Sequence, residues 1–192
     1  MIGCNDAGDI PGQEPKRNGV RDFSLFVIAL FNPGTHQTAI WYLSGVTFVG
    51  GAYGPTLPSA WALAAIGDFN FDCDPDYVLY NPSTHQTAVW YMHNNAFASG
   101  VFGPTLPAGW RLAGATDFNA DGFADYLLFN PSTRQSAIWY LDGVTFLGSV
   151  YGPTIASGYE LIGVADFNGD GKPDYPALQS EHATNSPVVS QQ

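Results

Sequence analysis

Positive charge is what this chain has least of: 6 Lys and Arg stand against 17 Asp and Glu in 192 residues, a net charge of −11. Nucleic-acid binding needs a basic footprint on the phosphates, and an anionic bilayer surface would repel such a chain, so neither partner is expected. Cysteine is nearly missing too. Cys4 lies in a polar leader and Cys73 in an acidic stretch, so there is no disulfide framework and no zinc spacing, although a single Cys4–Cys73 bridge stays open. No run approaches the roughly 18 apolar residues of a membrane-spanning helix, and residues 1–20 lack the apolar centre of a signal peptide. The motifs of common catalysts are absent as well: no GxSxG, no HExxH, no phosphate loop, no Cys–His pair at useful spacing. Asp142 and Glu160 are the carboxylates a glycosidase reading would borrow, but neither recurs along the chain, so no catalytic residue is assigned.

What the chain does have is apolar and turn-forming. Hydrophobic residues make up 45% and aromatics 15%, with 22 Gly and 14 Pro, while charged residues reach only 12%. That mixture buries a core and favours an all-β fold.

The sequence also repeats. "NPGTHQTAIWY" at Asn32, "NPSTHQTAVWY" at Asn81 and "NPSTRQSAIWY" at Asn130 are spaced by 49 residues, as are "YGPT", "FGPT" and "YGPT" at Tyr53, Phe102 and Tyr151. Each period divides into four short strands. In the third copy these are 110–118, 125–130, 135–141 and 145–152, with Asp142–Gly143 as a hairpin turn and 153–157 as a link. Four antiparallel strands repeated at a fixed period are the composition of a β-propeller blade; a meandering sandwich or a β-solenoid is the alternative. Residues 21–178 form the repeat domain, between a flexible polar leader at 1–20 and a flexible tail at 179–192. About three blades are present, too few for a ring of about four to eight. The chain is then either part of a longer one or half of a six-bladed homodimer, and exposed blade faces and strand edges favour the dimer.

Acidic loops recur at the same period: "DFNFDCDPD" at 68–76, "DFNADGFAD" at 117–125 and "DFNGDGKPD" at 166–174. In the first repeat the loop has degenerated, with Gly19 and Val27 where Asp68 and Asp76 would align. Oxygen side chains fall at positions one, three, five and nine, and a backbone carbonyl is expected at seven, a donor set suited to Ca²⁺. The candidate ligands are Asp68, Asn70, Asp72, Asp74 and Asp76; Asp117, Asn119, Asp121, Phe123 and Asp125; and Asp166, Asn168, Asp170, Lys172 and Asp174, with Phe123 and Lys172 acting through their carbonyls. Gly122 and Gly171 permit a sharp turn at position six. Cys73 replaces that glycine in the first copy, where Asp74 adds a carboxylate. Position twelve is Leu79, Leu128 or Ala177 rather than Glu, and strands flank the loop, so this is not an EF-hand. About three Ca²⁺ per chain would bring the net charge from −11 to −5. An acidic turn without metal is the alternative.

These loops resemble the calcium loops of FG-GAP/VCBS repeats, the blades of integrin-α-type and some fungal-lectin propellers, over roughly residues 22–178. The resemblance implies one Ca²⁺ per blade between its first two strands, an extracellular setting, and adhesion or recognition of a glycan or a protein.

For a ligand, two sets of residues recur. Trp61, Trp110 and Tyr159 follow the "GPT" link and sit on one rim. His36, His85 and Arg134, followed by Gln37, Gln86 and Gln135, stand at the turn before the third strand of each unit. Trp41–Tyr42, Trp90–Tyr91 and Trp139–Tyr140 read first as packing between blades. The expected function is a calcium-stabilised module binding carbohydrate. A protein-adhesion scaffold and a secreted hydrolase with an unseen site are the alternatives.

Overall fold

The computed structural model describes residues 25–161 apart from Cys73, together with 163–165, 172–175 and 177–179. Expectations about the leader, Cys4, Cys73, Gly19, the tail beyond Gln179, and Asp166, Asn168 and Asp170 fall outside the described residues.

Among the described residues all thirteen elements are strands. Sheet I comprises β1 (Leu25–Phe31), β2 (Gln37–Ser44) and β3 (Thr47–Thr56). Sheet II comprises β4 (Ala62–Gly67), β5 (Asp76–Tyr80), β6 (Gln86–His93) and β7 (Ala96–Thr105). Sheet III comprises β8 (Arg111–Thr116), β9 (Asp125–Asn130), β10 (Gln135–Asp142) and β11 (Thr145–Thr154), and β12 (Tyr159–Leu161) pairs with β13 (Ala177–Gln179). Every pairing is antiparallel between chain neighbours, the up-and-down order of a propeller blade.

Two details depart from the sequence reading. The outer strand runs two residues further, through Pro153 to Thr154, because Gln135 pairs with Thr154 across a bulge. The hairpin turn is Gly143–Val144 rather than Asp142–Gly143: Asp142 still pairs with Thr145, and Gly143 takes the positive φ of 59°. Asn94 meets the same demand in sheet II with φ 54°, a region that Asn tolerates better than most residues.

Burial falls from the middle of each sheet to its edge. β9 is buried at every residue but its last, so its sequence, DYLLFN, is nearly continuously apolar rather than alternating. The outermost strand β11 is mostly exposed. Successive sheets stack face to face. Val78 and Val89 of sheet II join Leu112, Tyr126, Leu128, Ala137 and Leu141 of sheet III in one core. Leu57, Tyr77, Leu79, Ala88 and Met92, with Phe31, pack sheet I against sheet II. Leu127, Phe129, Ile155 and Leu161 continue the stack toward the last pair. Each fully buried Leu or Met here contributes roughly 1.5–3 kcal/mol by leaving water.

A polar contact repeats at each junction. The Tyr126 hydroxyl, on a fully buried ring, donates to Thr87 Oγ1 of the preceding sheet at 3.4 Å. Gly103 makes room for it: a Cβ there would lie 2.5 Å from Thr87 Oγ1 and 3.1 Å from the Tyr126 hydroxyl. Gly54 stands in the same relation to Thr38 and Tyr77, and Gly152 to Ser136 and Tyr175. The Tyr77 hydroxyl lies beside Thr38 without completing a hydrogen bond.

Candidate functional site

The acidic loops and the recurrent "NPxT" turns sit at opposite ends of the strands. The first acidic loop joins β4 to β5, and the turn holding His85 joins the far end of β5 to β6, so the two candidate sites occupy opposite rims.

In the first loop, Asp68 Oδ1 accepts from the N–H of Phe71 at 2.7 Å, and Asn70 Oδ1 from Asp72 N–H at 3.1 Å. Asn70 Nδ2 donates to Asp72 Oδ2 at 2.8 Å, and Asp72 Oδ1 accepts from Asp74 N–H at 2.9 Å. The second loop repeats this with Asp117, Asn119, Asp121 and the N–H groups of Ala120, Asp121 and Phe123. Side-chain oxygens bonding backbone two or three residues on are the ordinary chemistry of Asx turns. The left-handed residue common to both loops is at position four, Phe71 with φ 62° and Ala120 with φ 62°; Gly122, at position six, adds φ 96° in the second. Sequence reasoning placed the sharp turn at position six alone. Gly169, at position four of the third loop, was the available signal.

The ninth residue pins the loop. Asp76 is fully buried, with Oδ2 accepting from Phe69 N–H and Oδ1 from Met92 N–H of β6, each at 2.9 Å. Asp125, also fully buried, does the same with Phe118 and Leu141. Burial pushes the Asp76 carboxyl up from 3.8 to about 6; the two N–H bonds oppose this, and the charges of Asp72 and Asp68 add to it. Burial likewise raises Asp125, with Asp121 and Asp117 adding to it. Asp74 Oδ2 points to the next turn, accepting from Asn94 N–H at 2.9 Å and meeting His93 Nδ1 at 3.0 Å.

The donor chemistry is all hard oxygen, and each buried carboxylate has acidic neighbours, which fits a divalent cation. Among the described residues no three acidic, His or Cys side chains are gathered closely enough to hold a metal by themselves. In the third loop, Asp174 forms an isolated antiparallel bridge with Ala165, equivalent to the pairing of Asp125 with Thr116. Lys172 is exposed.

On the other rim the recurrent residues do converge. The Trp61 ring lies 6.1 Å from that of Phe102 at 33°, and Trp110 lies 6.2 Å from Tyr151 at 31°. Phe102 and Tyr151 are 71% and 75% exposed, so each pair is an open aromatic corner. His36 Nδ1 reaches the Trp61 carbonyl at 3.2 Å. Tyr80 links the next copy, its hydroxyl donating to the Trp110 carbonyl at 3.2 Å and meeting His85 Nδ1 at 2.8 Å. Arg134 donates through Nε to Ile155 O and through Nη2 to Ala156 O, and stacks over Phe129. Tyr159 opens β12 and packs in the third core.

The glutamines are accounted for within the sheet. Gln86 Nε2 donates to Gly103 O at 2.6 Å while its Oε1 accepts from Thr105, and Gln37 and Gln135 repeat both bonds. They bridge the bulge between the two outer strands. Phe102 and Tyr151, the ring partners, were not among the sequence candidates. Their period, shared with Tyr53, was the signal. Trp90 and Trp139 are half-buried against the cores, in tilted contact with Phe97 and Phe146 at 4.6 Å each.

Residues 117–175 match the FG-GAP-like repeat family. The FG-GAP-like segment runs from Asp117, at the head of the second loop, to Tyr175, just past the third. Residues 68–126 repeat its pattern one period earlier. Comparison with curated proteins and with solved structures finds no match. Antiparallel blade-like sheets carrying an FG-GAP-like repeat describe a propeller-type binding module.

Proposed function

We propose that this module binds carbohydrate outside the cell, with sugar seated in the aromatic corners of one rim and Ca²⁺ holding the acidic loops of the other. The observation that carries the reading is the repeated corner. Two tilted ring pairs, Trp61 with Phe102 and Trp110 with Tyr151, present open faces beside His36, whose Nδ1 meets the Trp61 carbonyl, and His85, whose Nδ1 meets the Tyr80 hydroxyl. Aromatic faces take up the C–H side of a pyranose, and two equal sites on one module raise avidity without new contacts. The glutamines brace the outer strands and leave the sugar to the rings and to the rim polar groups.

On the opposite rim, Asp68, Asn70, Asp72 and Asp76, and likewise Asp117, Asn119, Asp121 and Asp125, would hold the cation with the carbonyls of Asp74 and Phe123; Asp166, Asn168, Asp170 and Asp174 would do so in the third loop. Bound Ca²⁺ supplies neutralising charge, and the loops then serve as staples rather than as a reactive centre. The module acts by binding and turns nothing over.

A glycan array followed by calorimetry on the best ligand tests the sugar reading. Phe102→Ala and Tyr151→Ala should each abolish about half of the binding stoichiometry with the circular dichroism unchanged. No binding to any glycan, with capture of a protein ligand instead, would replace it with the adhesion reading. Turnover of an ester or glycoside panel would replace it with the hydrolase.

A further inference from the structure

The fourth position of an acidic loop is an awkward place for a ring. Its backbone is left-handed, at φ 62° in both described loops, a region in which a bulky residue is strained. Ala120 stands there in the second loop and Gly169 in the third, whereas the first loop carries Phe71, 47% exposed. That side chain belongs to none of the three cores. What it touches is the next loop. The Phe71 and Phe123 rings meet edge to face, with centroids 4.9 Å apart at 69°.

Each ring is tied through its own backbone to a carboxylate of its loop. Phe71 N–H donates to Asp68 Oδ1 at 2.7 Å, and Phe123 N–H donates to Asp121 Oδ1 at 2.8 Å. Phe123 also carries the carbonyl expected as a ligand at position seven. A deeper contact joins the same two loops: the buried ring of Phe69, whose N–H holds Asp76 Oδ2, lies 6.4 Å from that of Tyr126, which follows Asp125. This deeper contact has a counterpart one period on, where Phe118 and Tyr175 share a core. The outer one cannot recur, because Ala120 has no ring to offer the third loop.

We propose that the first and second acidic loops take up Ca²⁺ as a coupled pair through Phe71 and Phe123, and that the third loop acts separately. This coupling rests on the calcium reading of the loops and adds to it a sign and a path. Gathering Asp68 and its neighbours round an ion fixes the backbone at Phe71. The ring contact then holds Phe123, and with it the carbonyl and the Asp121 bond on which the second loop depends. A loop already ordered loses less conformational freedom when it binds, which makes the coupling positive without any larger rearrangement. Coupling of this kind is reciprocal, so filling either loop favours the other. One edge-to-face ring pair supports an effect of about fivefold in affinity.

Calcium calorimetry on the full chain tests it. Asp121→Ala, which disables the second loop, should remove one ion and weaken one of the remaining sites about fivefold. Phe71→Ala gives the first loop the residue that the second already carries at that position. Alone, it should keep the ion count and lose the cooperativity, with the circular dichroism unchanged. In a chain carrying Phe71→Ala, Asp121→Ala should remove one ion and leave the other sites as they were. Independent sites in the wild type, or a fivefold loss that persists on Phe71→Ala, would overturn the coupling and leave the calcium reading standing. No uptake of calcium by the wild type would overturn both.

Discussion

On the proposed calcium staples, withdrawal of the ion should make stability depend on pH, in a direction opposite to that of most proteins. Asp76 is fully buried, and its folded pKa stands at about 6 against an ordinary 3.8, with burial as the largest cause. Between those values the folded chain keeps a proton that the unfolded chain has released. Stability of the metal-free protein therefore falls as pH rises through about 4 to 6, and the loss is complete above that window. At about 1.4 kcal/mol per pH unit, two units amount to roughly 3 kcal/mol. Asp125 is displaced in the same direction for the same reason. For a chain of this length each kcal/mol moves Tm by about 2–4 °C, so Asp76 alone is worth roughly 6–12 °C. Only the top of that window, about 1 kcal/mol, lies above pH 5.5, so scanning calorimetry in EDTA should give a Tm roughly 2–4 °C lower at pH 7.5 than at pH 5.5, and millimolar Ca²⁺ should remove most of the difference. A Tm in EDTA that rises with pH, or that ignores calcium at pH 7.5, would refute the reasoning.

Other changes isolate single contacts. Gly103→Ala drives a Cβ to 2.5 Å from Thr87 Oγ1 and should cost about 1–3 kcal/mol in urea unfolding; adding Thr87→Ala should recover part of it. Tyr126→Phe, which removes the long hydroxyl bond to Thr87, should cost about 1 kcal/mol in the same assay. Ala120→Gly, at an exposed residue with φ 62°, should stabilise by about 1 kcal/mol, and a loss of stability would show that the left-handed turn is not what strains that loop. Gln86→Ala should lower stability by about 1 kcal/mol and leave sugar affinity unchanged in calorimetry, since both ends of its amide are bonded within the sheet.

Periodicity made the fold legible. "NPSTHQTAVWY" and its partners set the strand order and spacing, and the strands fall within two residues of expectation because turn residues and apolar runs alternate so regularly. Contacts between sheets were not legible. Gly54, Gly103 and Gly152 stood in the sequence only as part of a repeated "GPT", yet each is small because a tyrosine from the next unit arrives there, a constraint 23 residues downstream. Asp76 and Asp125 read as loop ligands from their spacing. That they also fasten Met92 and Leu141, 16 residues on, depends on where β6 and β10 pass. The aromatic corners were half visible: Trp61 and Trp110 stood out by type, while Phe102 and Tyr151 were hidden in a motif that looked like a linker.

The notch and its tyrosine also bear on how such a chain changes length. One repeat carries the Thr–Gly seat on its outer strands and the tyrosine on its second strand, so each unit is at once a receiver and an inserter. A tandem duplication of 49 residues would copy both halves together and create a matched junction without any compensating substitution. Only the face where Ile28 stands in place of tyrosine would need separate adaptation. Growth by whole units is therefore cheap in sequence, since every added unit brings its own seat and its own tyrosine.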